Sequence, residues 1–130
     1  MVPTALVIDD DQVIREFFRL RLEARGWNVR EANNAADGRT IFQQKRPHLV
    51  MLDLVMSNDD GLDSLHFARL IKDDSPDVAL LVVTGLGSKK DIKNFMREHD
   101  IELYSKSPRD PYFQQMFARI DVLCAEVNQM

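Results

Sequence analysis

Cysteine is almost absent from this chain. Cys124 is the only one among 130 residues, so no disulfide can close within it, and a reducing compartment fits. Its apolar, helix-like surroundings read as a buried thiol. A basic excess is missing as well: 17 Lys and Arg against 21 Asp and Glu give a formal charge of −4, which argues against direct nucleic-acid binding over a broad face. No apolar run approaches the roughly 20 residues that a membrane helix needs, and the start lacks the basic-then-apolar layout of a signal peptide. The expectation is a cytoplasmic protein without membrane contact. Repeats, low-complexity tracts and linkers are also lacking. With 45% apolar residues there is material for one sizeable core and too little for two, so residues 1–130 are expected to form one domain.

What the chain does contain is an alternation. Apolar runs of four to seven residues are separated by longer stretches of helical period, the pattern of βαβ units feeding a parallel sheet. Strands are predicted at residues 5–9, 28–31, 49–53, 79–84 and 101–104, and helices at 12–25, 35–44, 62–72, 89–99 and 110–128. The first, third and fourth strands are nearly all apolar, as strands covered on both faces must be; the second and fifth carry more polar residues and belong nearer an edge. In the first helix Val13, Ile14, Phe17, Leu20 and Arg21 with Ala24 trace a stripe at helical spacing, and Gly26 stands where a left-handed cap belongs. The predicted architecture is a doubly wound five-stranded parallel α/β sandwich.

In such a sheet ligands bind outside the carboxyl ends of the strands, and the residues closing each run form an unusual set. Asp9, Asp10 and Asp11 end the first run, Asp53 the third and Thr84 the fourth; Lys106 follows the fifth. Carboxylates converging at one sheet edge repel one another unless a cation compensates them. Oxygen ligands without a His or Cys cluster favour a hard divalent ion, Mg²⁺ with Mn²⁺ able to substitute. A carboxylate, a metal, a hydroxyl and an ammonium together suit phosphoryl transfer: one nucleophile, and three groups to hold the equatorial oxygens.

The segments Leu6-Val7-Ile8-Asp9-Asp10-Asp11, Leu52-Asp53-Leu54, Asp60-Gly61, Val83-Thr84-Gly85 and Lys106, separated by 43 residues from Asp10 to Asp53, 31 to Thr84 and 22 to Lys106, resemble the receiver domains of bacterial response regulators over nearly the whole chain. The resemblance implies a flavodoxin-like strand order 2-1-3-4-5 and a phosphoacceptor switch in a two-component phosphorelay. That switch assists its own phosphorylation and dephosphorylation and is not a free-standing enzyme. It makes Asp53 the phosphoacceptor, Asp10 a direct Mg²⁺ ligand, Asp9 a ligand mainly through water, and the Val55 backbone carbonyl the remaining protein ligand. Thr84 and Lys106 would contact the phosphoryl oxygens. The implied partners are a sensor histidine kinase or histidine phosphotransfer protein as donor and a downstream output protein or domain. A homodimer through the last strand and helices is a further expectation, since Tyr112, Phe113, Met116, Phe117, Ile120 and Val122 spread around more than one helix face.

Simpler roles account for other residues. Asp11 falls at the start of the first helix and is expected to cap it; Asp59, Asp60 and Gly61 suit a turn; Gly85 and Gly87 lack the spacing of a phosphate-binding loop; His48, His66 and His99 are scattered over three segments. Asp53 differs from these, because a carboxylate between Leu52 and Leu54 is costly to desolvate unless it is used. Several positions depart from the family pattern. Ser107 stands where a proline with a cis bond is usual, and a cis bond before a non-proline residue costs about 3–4 kcal/mol, which puts the reach of Lys106 in question. Leu103 stands where an aromatic is usual, with Tyr104 next to it on the opposite strand face. Ser57 replaces a common proline. Val55 and Leu86, two places beyond the phosphoacceptor and the threonine, are apolar and offer no hydrogen bond to an attacking water, so a slowly hydrolysed phosphoryl group is expected. Two alternatives stand beside the switch: a receiver-like interaction module independent of phosphorylation, and a haloacid-dehalogenase-like phosphatase with Asp9 as nucleophile.

Overall fold

The computed structural model describes residues 2–54, 62–85 and 90–130. Its apolar runs become five strands, β1 (Thr4–Ile8), β2 (Asn28–Ala32), β3 (Leu49–Leu52), β4 (Ala79–Thr84) and β5 (Glu102–Ser105). All pair in parallel, in the order β2-β1-β3-β4-β5. The two strands with the most polar residues, β2 and β5, are the edges, while β1, β3 and β4 are buried along nearly their whole length. Five helices alternate with them: α1 (Gln12–Ala24), α2 (Ala35–Gln44), α3 (Leu62–Asp74), α4 (Lys90–Glu98) and α5 (Pro111–Asn128). Each element matches its predicted counterpart to within one or two residues at each end, the ordinary uncertainty of element boundaries.

Successive strand residues face opposite ways, and this divides the core into two. Leu6, Ile8, Val50, Leu52, Leu80 and Val82 face Phe67, Ala68, Ile71 and Met96 of α3 and α4. Ala5, Val7, Leu49, Met51, Leu81 and Val83 face Phe18 and Leu22 of α1 and Phe113, Met116, Phe117 and Ile120 of α5. On the first side α2 packs so closely that a Cβ at Gly38 would collide with Ile8 Cδ1.

Local signals set the helix ends. Asp11 Oδ1 accepts from the Val13 and Ile14 amides at 2.9 and 3.4 Å, the capping role expected of it. Asn34 caps α2 through the Asp37 amide at 2.7 Å, and Asp110 caps α5, with Pro111 in the first turn, where its missing N–H is not needed. Gly26 closes α1 at φ +94°, where an L side chain would be strained.

The predicted face of α1 is corrected. Val13 and Leu20 are 73% and 50% exposed, and Arg21 lies outside, its guanidinium 4.4 Å from the Phe17 ring centroid. The buried residues are Phe18 and Leu22, with Ile14 and Phe17 half-buried beside them. Two apolar rows run along this helix, and the one carrying Phe18 and Leu22 meets β1, Trp27 and Phe117 across the sheet's surface. On α5 most of the apolar surface is likewise buried, leaving Tyr112 and Val122 exposed.

Candidate functional site

The register of the sheet brings the strand ends together. Ile8 pairs with Leu52, so Asp9 and Asp53 leave neighbouring strands at the same level, and the Asp53 amide continues the ladder to the Ile8 carbonyl at 3.0 Å. Thr84 ends β4 opposite Ser105, one residue before Lys106. Carboxylate oxygens of Asp9, Asp10 and Asp53 lie within 4.8 Å of one another. Asp9, Asp53 and Thr84 are nearly inaccessible, at 2%, 3% and 1% exposure.

Lys106 enters this acidic pocket from the loop after β5. Its Nζ donates to Asp53 Oδ2 at 2.8 Å and stands 2.6 Å from Asp9 Oδ2. Burial alone would lower the Lys106 pKa, but hydrogen bonds and charge from Asp53 and Asp9 outweigh it and hold the ammonium above its usual value. No cis peptide bond occurs among the described residues, so Lys106–Ser107 is trans, and the lysine reaches both carboxylates from that geometry.

Asp9 is held at every polar group. Its amide donates to the Ala32 carbonyl at 3.1 Å, its Oδ1 accepts from the Asp11 amide at 2.9 Å, its Oδ2 meets Lys106, and its carbonyl accepts from Arg15 Nη1 at 2.7 Å. Sequence reasoning passed over Arg15. The available signal was its position one turn after the cap Asp11, since helical side chains tilt back toward the N-terminus and so toward the end of β1.

Other residues of interest lie elsewhere in the fold. Leu103 packs on the α3–α4 side and Tyr104 on the α1–α5 side, in unbroken register with Val82 and Val83, so Tyr104 does not take the place of Leu103. Its hydroxyl donates to Glu102 Oε1 at 2.7 Å, and burial together with Glu102 pushes the phenol's pKa well up. His48 Nδ1 accepts from the Thr4 amide at 3.1 Å, His99 stacks on Phe95 and His66 is exposed; none joins the acidic group. Cys124 is half-buried and not fully buried as expected, its thiol 3.4 Å from the Arg25 carbonyl. Val55, Ser57, Asp59, Asp60, Gly61, Leu86 and Gly87 lie outside the described residues.

A doubly wound parallel sheet with three carboxylates and a lysine gathered at its carboxyl edge defines a class of α/β domains suited to handling a cation and a phosphoryl group. The chain belongs to the family of response regulator receiver domains, whose sequence profile matches residues 5–111. The DNA-binding dual master transcriptional regulator RpaA of Synechocystis is 30% identical over 131 residues, which cover 99% of this chain and 52% of that protein. Response regulator MprA of a Mycobacterium species is 35% identical over 83 residues, 64% of this chain and 35% of the relative. The chain thus spans about half of the first relative's length and about a third of the second's. Among solved structures, a CheY-like receiver domain from Methanospirillum hungatei superposes with a TM-score of 0.76 at 20% identity, over 97% of this chain and 99% of that one. A response regulator from Burkholderia pseudomallei, solved with a phosphorylated aspartic acid, a calcium ion and citrate, gives 0.75 at 25% identity, over 98% and 71%. As a receiver domain the chain is a phosphoacceptor module of two-component signalling. The family match removes the ground for the phosphatase alternative. Among the described residues no helix is long and apolar enough to cross a membrane.

The donor set fits a hard divalent cation. Asp9, Asp10 and Asp53, two of them buried, bring their carboxylate oxygens within 4.8 Å of one another, a cluster of oxygen donors of the kind hard cations take.

Proposed function

We propose that Asp53 is the phosphoacceptor, that Asp9 and Asp10 with Asp53 hold Mg²⁺, or Mn²⁺ in its place, and that Thr84 and Lys106 receive the phosphoryl oxygens. The observation carrying this reading is the convergence of the three carboxylates on a lysine 2.6 and 2.8 Å from two of them. An Asp53 carboxylate oxygen attacks phosphorus in line, the bond to the donor nitrogen breaks, and its electron pair returns to the leaving imidazole, giving an acyl phosphate on Asp53. The bound cation supplies positive charge beside the phosphoryl oxygens. Lys106 exchanges one carboxylate partner for a phosphoryl oxygen, and the Thr84 hydroxyl donates to another. The Burkholderia regulator, with its phosphorylated aspartic acid and calcium ion, supports a phosphoaspartate and a divalent cation in this fold.

The donor is a sensor histidine kinase or histidine phosphotransfer protein. Val13 and Leu20, exposed on the helix that starts beside Asp10, offer apolar surface for such a partner. The recipient of the signal is an output protein or domain, with residues 1–130 acting as one receiver unit in the cytoplasm. Incubation with acetyl phosphate and Mg²⁺ should add one phosphoryl group by intact mass, and Asp53→Asn should abolish it. Full labelling of Asp53→Asn would overturn the assignment.

A further inference from the structure

The pocket's carboxylates rest on a piece of backbone clamped from outside. Arg15 Nη1 donates to the Asp9 carbonyl at 2.7 Å, and that carbonyl belongs to the peptide joining Asp9 to Asp10. Behind it, Arg15 Nε pairs with Glu31 Oε1 of β2 at 3.4 Å, and Glu31 Oε2 pairs with Arg19 Nε at 3.2 Å. The Arg15 side chain is only 16% exposed, so this is a seated group and not a waving surface charge. A cation in the first turn of a helix also opposes the macrodipole, a cost that the Asp11 carboxylate at the N-cap of α1 offsets in part. The hydrogen bond from Arg15 to Asp9 and the pairing with Glu31 oppose that cost.

We propose that Arg15 is a positioning residue for the acidic pair. By holding the Asp9 carbonyl it fixes the rotation of the Asp9–Asp10 peptide plane, which sets the direction in which the Asp10 side chain leaves the backbone. The other groups of Asp9 anchor the strand side of that peptide, through Ala32, Asp11 and Lys106; Arg15 anchors the plane itself. A guanidinium suits the task because its planar fork bonds the carbonyl with one nitrogen and Glu31 with another. This inference rests on the reading of the pocket as a Mg²⁺ site.

The test is a calorimetric Mg²⁺ titration of the whole chain, paired with the melting temperature without metal. Arg15→Met keeps the apolar stem and removes the donors, and it should raise the Mg²⁺ Kd about 10-fold, the lower end of what is lost when a group supporting metal ligands is removed. Arg15→Lys, which restores one donor without the fork, should recover only part of the affinity, and Glu31→Gln should weaken binding by less than Arg15→Met, providing a second variant that leaves Arg15 in place. The control is Arg25→Ala, which breaks the 2.9 Å bridge to Asp121 far from the pocket and should lower the melting temperature without changing Kd. A wild-type Kd in both Arg15→Met and Glu31→Gln overturns the inference, as does an Arg25→Ala variant that loses as much affinity as Arg15→Met. A wild-type chain that binds no Mg²⁺ overturns the metal reading and this inference together.

Discussion

Replacing Lys106 by Met keeps most of the side chain's length and removes its charge, which isolates the electrostatic part of its role. The ammonium stands 2.6 and 2.8 Å from carboxylate oxygens of Asp9 and Asp53, both 3% exposed or less. At an effective dielectric of about 20 the Coulomb attraction at such separations is roughly 6 kcal/mol per pair, and desolvation of the charges offsets most of it. What the substitution exposes is the other side of that balance, since two buried carboxylates lose their cation. Breaking a buried pair in this way costs about 3–5 kcal/mol. The lysine side chain retains 21% exposure, so water screens part of the effect, and about 2–4 kcal/mol is the expected loss in a chelator. With Mg²⁺ the deficit should shrink, because a divalent ion replaces the missing charge and no longer competes with an ammonium for the same oxygens. Both proteins gain from the ion, so at saturation the deficit shrinks by RT ln of the ratio of their Mg²⁺ Kd values, about 1.4 kcal/mol for a tenfold tighter Kd in Lys106→Met. Urea unfolding of both proteins, with EDTA and with saturating Mg²⁺, measures each quantity. Equal deficits under the two conditions would show that Lys106 contributes packing and not charge, and the reasoning would fail.

Three further outcomes are expected. Asp10→Ala should weaken Mg²⁺ binding far more than Asp11→Ala in a metal titration, because Asp10 supplies charge to the acidic group while the Asp11 carboxylate caps α1; Asp11→Ala should instead cost about 1 kcal/mol of stability. Stability should fall as pH rises past 10. Burial and Glu102 hold the Tyr104 pKa above its ordinary 10.0, and Asp53 and Asp9 hold Lys106 above 10.5 despite burial, so the native state keeps protons that the unfolded chain has released. This stabilisation is fully present below pH 10, and Tyr104→Phe should move the onset of the fall upward in a series of urea midpoints. Gly38→Ala gains about 1 kcal/mol of helix propensity but drives a methyl group into buried Ile8, where overpacking costs about 1–3 kcal/mol. A net loss of about 1 kcal/mol is expected by chemical denaturation, and a stabilised variant would show that Ile8 gives way freely.

The elements, their class and the membership of the acidic pocket are legible in the residues alone, because each of these is written in local pattern. Alternation of short apolar runs with helical stretches marks βαβ units, and the polar residues of β2 and β5 mark them as edges. Asp11 is legible as a cap from its position alone, and Asp53 stands out because an acid inside an apolar run needs a reason. The remainder became visible in the folded chain, since it depends on which surfaces meet. Ile14 extends equally well into a stripe with Val13, Phe17 and Leu20 or into one with Phe18 and Leu22, and the choice between them came from the fit of Phe18 and Leu22 against β1, Trp27 and Phe117. Whether a trans Lys106–Ser107 bond lets the lysine reach Asp9 and Asp53 depended on where the end of β5 lies relative to β1 and β3, a distance across three strands. Arg15 is the clearest case: its partner is a backbone carbonyl, a group every residue carries, so no side-chain pattern announces the contact before the chain folds.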